Sequence, residues 1–401
     1  MDAGILGIPR GRAGSGTSWQ PDTTPLDALH AARGRWRLML HGNLFVHYLD
    51  EGSDRGDEDA GSVNWLMGMA HRPLAGGELT LRAMLSAEAA TLGECGYPVL
   101  LATGETCEGR PLHDRQHPHD ALMEVAAALE REIAPGLAAQ AYVALSGEPA
   151  LGPPAYPHRA SSLPNPFAPI GHHWHDATHI SFGVVTAGVF GATWKAEGSL
   201  FNGREPDEGR WDLDLAPLDS HAGRLWWLPD PEWALQVSGG HLEEAERDVG
   251  HGTRVDVERW TASATWHRRL AADRLLATTL AWGRNEEEGR ATGALLVEGA
   301  LDLTRRDTLF ARAERAEKTG HDLALEDPAL EDRTFAVASL LVGYARQVGR
   351  AAGWALGVGG KVSASRVPAH LEPFYGTDTP LGWGVFLSAR PAPGGHGPAA
   401  H

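Results

Sequence analysis

No run of eighteen or more apolar residues occurs in this chain, so it has no transmembrane helix. Two cysteines are the whole complement among 401 residues, and neither C-x-x-C nor H-E-x-x-H is present, which removes the familiar dithiol and zinc signatures. The length could hold two or three soluble domains, but no linker separates them. Residues 1–20 lack a basic region followed by an apolar stretch. The chain is therefore a mature form or a fragment, or it is not exported. Positive charge is short: 35 Lys and Arg face 52 Asp and Glu, a net charge of −17. That excess disfavours nucleic acid as a partner and favours cations near acidic segments such as 49–61, 202–219 and 317–333. A solvated rim that meets lipopolysaccharide through divalent ions follows equally well from it.

What the chain does have is period-two alternation. Sixteen such segments begin near Trp36, Val63, Glu78, Ala121, Leu137, Thr178, Thr193, Ser220, Trp233, Asp256, Arg274, Thr292, Asp307, Arg333, Gly353 and Leu381. Connections at 72–77, 132–136, 191–193, 229–232, 268–273, 304–307 and 347–352 are short. Those at 49–61, 87–120, 146–178, 202–219, 243–255, 317–333 and 367–380 are long, and 285–291 is intermediate. An even number of strands with short turns at one end and long loops at the other predicts an all-β fold, a closed antiparallel transmembrane β-barrel of about 16 strands. A soluble sandwich alternates too, but has no reason to sort its loops by length.

The phases fit a lipid outside. Trp36, Leu38, Leu40, Leu44, Val46 and Tyr48 oppose Arg37, His41, Asn43 and His47. Leu79, Leu81, Ala83 and Leu85 oppose Thr80, Arg82, Met84 and Ser86, and Trp260, Ala262, Ala264 and Trp266 oppose Thr261, Ser263, Thr265 and His267. The run Leu340, Leu341, Val342 leaves one strand without a clear phase. A Lys or Arg at the bilayer midplane costs roughly 2–4 kcal/mol, so the charged face points into the lumen. The predicted lumen lining is Arg37, His41, His47, Arg82, Glu124, Lys195, Glu197, His267, Glu298, Arg312 and Glu314, which would set selectivity. Many of the 14 tryptophans sit near strand ends, as expected at two membrane–water interfaces.

The organisation that follows is a flexible periplasmic segment over 1–34, rich in Gly, Pro, Ser and Thr, a barrel over 35–390, and a tail over 391–401. Cys95 and Cys107 share one long connection and can close a small loop in an oxidising compartment, or stay as thiols.

Eight of 20 histidines fall between residues 113 and 179. With neighbouring aspartates they give a candidate metal set of His113, Asp114, His117, His119, Asp120, His158, His172, His173, His175, Asp176 and His179. Two consecutive long loops carry them, so they can converge over the pore. Imidazole suits copper, zinc and nickel alike, so the ion is copper or zinc without a choice between them. The competing reading is a plug, in which Arg115 and Arg159 pair with Asp114, Asp120 and Asp176. A lipid-modifying hydrolase would need a nucleophile near His158 or His179, such as Ser161, Ser162 or Ser181, but no nucleophile elbow is present and a non-enzyme is expected.

Several stretches resemble a bacterial family of outer-membrane-type barrels: Thr103–Thr106 through His113–Asp120, Gly147–Pro153, Gly171–Trp174 through His179–Gly183, and Glu197–Asp207. The resemblance implies a barrel in the envelope of a Gram-negative bacterium and a link with copper or other heavy metals, and it carries over no catalytic residue. The reading is a porin-like outer-membrane barrel for small solutes or metal ions, in contact with lipid and lipopolysaccharide and compatible with a homo-oligomer. A plugged structural or adhesion barrel is the alternative.

Overall fold

The computed structural model describes residues 3–248 and 253–392. The strands are β1 (Leu29–Arg33), β2 (Trp36–Gly52), β3 (Glu58–Leu74), β4 (Gly77–Leu85), β5 (Tyr97–Cys107), β6 (Arg110–Gln116), β7 (Leu122–Ala134), β8 (Leu137–Gly147), β9 (Ser181–Phe190) and β10 (Trp194–Phe201). They continue as β11 (Ser220–Trp227), β12 (Trp233–Asp248), β13 (Thr253–Ala271), β14 (Arg274–Glu287), β15 (Arg290–Asp302), β16 (Asp307–Thr319), β17 (Thr334–Ala351), β18 (Trp354–Arg366) and β19 (Leu381–Pro391). Sixteen of them, β2 to β4 and β7 to β19, pair antiparallel with their neighbours, and β19 pairs with β2 to close the ring. Closure leaves no unpaired edge in lipid.

The phases hold. Leu38, Leu44, Val46, Leu81, Leu85, Leu200, Trp260, Leu381 and Leu387 are exposed on the outer face, while Arg82, Lys195, Glu298 and Arg312 point inward. The ambiguous strand resolves the same way: Leu340 is 51% exposed, Leu341 8% and Val342 45%, so Leu341 faces the lumen. Two-residue turns at Ala75–Gly76, Glu288–Gly289 and Ala352–Gly353 have positive φ at both positions, the twist that matches a hairpin. Trp194, Trp227, Trp233, Trp282 and Trp383 lie on the outer face, but Trp65 and Trp226 are buried inside.

Three expectations need correction. Two connections read as long, 49–61 and 243–255, are largely strand: β2 and β3 each run 17 residues and β13 runs 19. About 9–11 residues suffice to cross a bilayer, so these strands are longer than a crossing needs and keep pairing beyond that length. Residues 249–252 lie outside the described residues. The expected tail falls mostly at 393–401, also outside them, and Pro391 ends β19 itself.

The third correction is the largest. The segment over 1–34, read as loose and periplasmic, packs inside the lumen from residue 9 to residue 24, and β1 forms a hairpin with β2. Its Gly, Pro, Ser and Thr carry no apolar period, so composition alone reads as slack chain. The wall supplies what they lack. Lys195 Nζ and Arg82 donate to the carbonyls of Thr17 and Gly16. Arg10 pairs with Glu78 at 2.5 Å, and Arg12 donates to Ala192 O at 2.6 Å. Trp19 packs edge-on against Phe190 at 5.9 Å and lies under Lys195 Nζ at 4.7 Å.

Candidate functional site

The lumen is filled from both ends. At the turn end sits the N-terminal segment. From the other side the 148–180 connection crosses to the opposite wall. Arg159 is its anchor: it bonds Asp176 and Glu298, each at 2.6 Å, and Pro154 O at 3.0 Å. Glu298 also takes Arg312 at 3.0 Å, and Arg312 reaches Phe167 O and Ser162 Oγ. Gly171 N donates to Glu314, and Trp174 Nε1 to Thr292 Oγ1 at 2.9 Å. Gly283 allows the crossing, since a Cβ there would stand 2.0 Å from Trp174 O. Ala155 N donates to Ser15 Oγ, which ties the loop to the N-terminal segment.

Above this lies an apolar core that a water-filled pore would not contain. It includes Phe45, Leu49, Tyr97, Phe167, Trp174, Phe310 and Phe335. The hairpin of β5 and β6 covers it, and a Cys95–Cys107 disulfide joins the chain just before β5 to the end of β5 beside the turn. Asp114 pins the hairpin down by accepting from Arg55 Nε (2.8 Å), Leu101 N (2.7 Å) and Tyr375 Oη (3.2 Å). Asp114→Ala strands the Arg55 guanidinium and a buried amide. Trypsin should then cut the 86–121 connection at least tenfold faster, with the barrel still folded by heat-modifiable mobility on gels. Unchanged cleavage would remove Asp114 as the latch.

Most of the predicted lumen residues hold the filling and are buried from open water, while the Arg37 side chain stays 41% exposed. Glu124 accepts from Tyr142 and lies 3.5 Å from Arg82, Glu197 takes Arg224 at 2.9 Å, and His267 meets Thr24 at 2.9 Å. His47 packs against Tyr97 and Phe167, and Arg37 pairs with Glu78. His41 lines a cavity described below.

The eleven predicted metal residues do not form one group, and His173 turns to Glu205 at 2.9 Å. His119, His172 and His179 gather around Tyr156, with ring centroids 5.2 Å (His119–His179) and 5.1 Å (His172–His179) apart, and His117 lies 6.5 Å from His119. Each inner ring has its Nδ1 engaged: His119 with Glu88 at 2.8 Å, His172 with Asp176 at 2.7 Å, His179 with Asp176 O at 2.8 Å. Asp120 lies 3.5 Å from Arg210. His113 and Asp114 belong to the hairpin latch, His175 meets Ala294 O on the far wall, and His158 stands apart beside Trp65 at 4.6 Å. Asp176 is committed to Arg159. The plug pairing expected of Arg159 is therefore present, while Arg115 turns instead to Asp57 and Asp59.

Among the described residues, three groups of imidazole and carboxylate atoms lie within 4.8 Å of one another: His173–Glu205–Glu246, His241–Glu243–Asp256 and Asp207–Asp212–Asp214. Only the first includes a predicted ligand. Sequence reasoning missed Glu88, Glu205 and Glu246, since nothing in spacing links them to histidines far along the chain. The hydrolase residues are engaged elsewhere: Ser161 Oγ with Thr279 and Glu298, Ser162 Oγ with Arg312, Ser181 Oγ with Thr178 O. None of these hydroxyls meets an imidazole.

Two cavities remain beside the N-terminal segment. One, of about 190 Å³, lies against β2 to β4 and is lined by Met39, His41, Trp65, Met67, Met69 and His158. The other, of about 330 Å³, opens among the turns and is lined by Arg269, Arg274, Arg306, Arg346, Asp302 and Arg390. Leu26, Asn43, Leu163 and Arg390 line both.

No family model and no curated relative matches the chain. Solved structures do. The Salmonella typhi OmpF complex with daunomycin aligns with a TM-score of 0.54 at 10% identity, over 90% of this chain and all of that one. The anion-selective porin from Comamonas acidovorans aligns at 0.52 and 11% identity, over 88% and 99%. A loop L8 deletion mutant of OmpT, an outer membrane protein of Vibrio cholerae, aligns at 0.52 and 10%, over 89% and 100%. At such identities the likeness is one of fold, the outer-membrane barrel, and it lends no support to the link with copper.

Proposed function

We propose that this chain is a porin-type barrel of the bacterial outer membrane, closed at rest by its own N-terminal segment and by the 148–180 connection. The observation that carries this is the latching of residues 10–24 to the inner wall through Glu78, Ala192, Lys195, Arg224 and His267. Small solutes would enter by the arginine-lined vestibule among the turns and the cavity that adjoins it. The apolar outer face is what lipid requires.

Single-channel conductance tests the reading. The full chain in a planar bilayer should be silent or open rarely, and a variant lacking residues 3–27 should open in steps with at least several-fold more mean current. Silence in both, from folded protein, would overturn the gated pore and favour a purely structural barrel.

A second reading, zinc binding, is supported by one group of side chains. His173, Glu205 and Glu246 offer a nitrogen and two carboxylate oxygens, a donor set suited to zinc, and their atoms already converge. Zinc titration of the wild type against Glu246→Gln decides it: affinity unchanged by the substitution would sink this site.

A further inference from the structure

Apart from Met1 the chain has five methionines, Met39, Met67, Met69, Met84 and Met123. All five are buried in one cluster on the lumen side of four consecutive strands, β2, β3, β4 and β7. The register sets them side by side: Met39 is opposite Met69, and Met67 is opposite both His41 and Met84. Directly opposed residues on one face bring their Cβ atoms within about 4.5–5.5 Å. Met39, Met67 and Met69 line the 190 Å³ cavity together with His41 and His158. The two imidazoles are 6.1 Å apart and share contacts with Trp65 at 5.2 and 4.6 Å. His41 Nε2 is buried without a hydrogen-bond partner.

We propose that this cavity is a binding site for a soft monovalent metal ion, Cu(I) or Ag(I), held by the thioethers of Met39, Met67 and Met69 and the imidazole of His41, with His158 closing the far side. Three thioether donors select such ions over hard divalent ones, and imidazole accepts them as well. Carboxylates of Asp27, Glu78 and Glu130 line the cavity beside Arg10, Arg12, Arg82 and Arg390, so a bound cation has counter-charges close by. The shared lining with the vestibule gives the ion a way in from the turn end. The site does not depend on whether the barrel conducts, and its donors are distinct from His173, Glu205 and Glu246.

The competing account is packing. Methionine fills irregular gaps, and the N-terminal segment presents an irregular surface. Titration of the refolded full chain with silver nitrate in chloride-free buffer separates the two, read by calorimetry and by the carbon-13 methyl signals of methionine. One equivalent of Ag(I) should bind, shifting the Met39, Met67 and Met69 methyls and leaving Met123, which lies off the cavity, unmoved. Met67→Leu with Met69→Leu keeps volume and should weaken Ag(I) at least tenfold, with zinc binding unchanged. Met123→Leu should bind as the wild type does. No Ag(I) binding, or binding indifferent to the Met67 and Met69 substitutions, leaves packing only and overturns the site. Should the double variant fail to fold, the methyl shifts of the unaltered protein still decide.

Discussion

Glu298→Ala should lower the stability of the folded barrel by roughly 3–5 kcal/mol, the usual result of stripping one member from a buried ionic group. Glu298 sits between two guanidinium groups, Arg159 at 2.6 Å and Arg312 at 3.0 Å, and also accepts from Ser161. Its loss leaves two buried cations with one carboxylate, Asp176, among them. The effect should concentrate on the loop: the chain from 148 to 180 loses its anchor on the far wall, and mean conductance should rise along with the fall in unfolding midpoint. Replacing Arg159, Glu298 and Arg312 together by Met, with Asp176→Asn so that its carboxylate does not lose its cation, should recover much of the lost stability, because no charge is then left unpaired. A Glu298→Ala barrel as stable as the wild type, measured by denaturant unfolding in detergent, would mean that Arg159 is not an anchor.

Acid should release the same loop between about pH 6 and 4. Burial holds the His158 imidazole down to about 3 and that of His175 to about 4; nearby positive charge adds to the first, and Asp176 only partly offsets the second. Burial likewise lowers His172, against the pull of Asp176, and takes His179 well below the ordinary value. In a loop withdrawn into water these groups titrate near 6.5. Above that value both states are neutral and the docked loop keeps its full stability. Below it the withdrawn loop takes up protons that the docked loop refuses, and docking weakens by about 1.4 kcal/mol per histidine per pH unit. His119 works the other way: burial opposes its charge, but Glu88 raises it above the ordinary value, so its contribution is present below 6.5 and fades as pH rises through the folded value. Four lowered groups outweigh one raised group. Hydrogen exchange over 148–180, corrected for intrinsic rate, should speed up by at least about 10,000-fold from pH 7 to 4.5, roughly two decades each from His158 and His175. A flat profile would show that the docked loop admits protons freely.

The wall of this protein was open to reading because lipid imposes a rule on every residue of a strand. Leu79, Leu81, Ala83 and Leu85 must face outward together, and Arg82 must not. Leu340 to Val342 failed to declare a phase because an apolar residue is also accepted on the inner face once something apolar packs there, as Leu341 does. The methionine cluster was half legible. Met84 falls on the polar face by phase alone, but its meeting with Met67, Met69 and Met39 needs the register between strands.

The histidine-rich loops were legible as a dense group of ligands and not as an arrangement. His119 and His179 approach each other, yet their Nδ1 atoms point to Glu88 and to a backbone carbonyl, and His158 and His175 go to different walls. No period relates a loop residue to its partner. The Arg159–Glu298 pair spans 139 positions, and the contact of Lys195 with Thr17 spans 178.

The sequence by itself determined the barrel: sixteen strands, their phases, and the end at which the loops gather, because backbone groups in a bilayer can be satisfied only by a closed ring whose outward residues are apolar. Only the tertiary structure decided what the ring encloses. The lumen is filled by a segment whose composition reads as slack and by a loop whose charges read as a metal site, and both find their partners across the interior, where side chains of the wall stand ready to satisfy them.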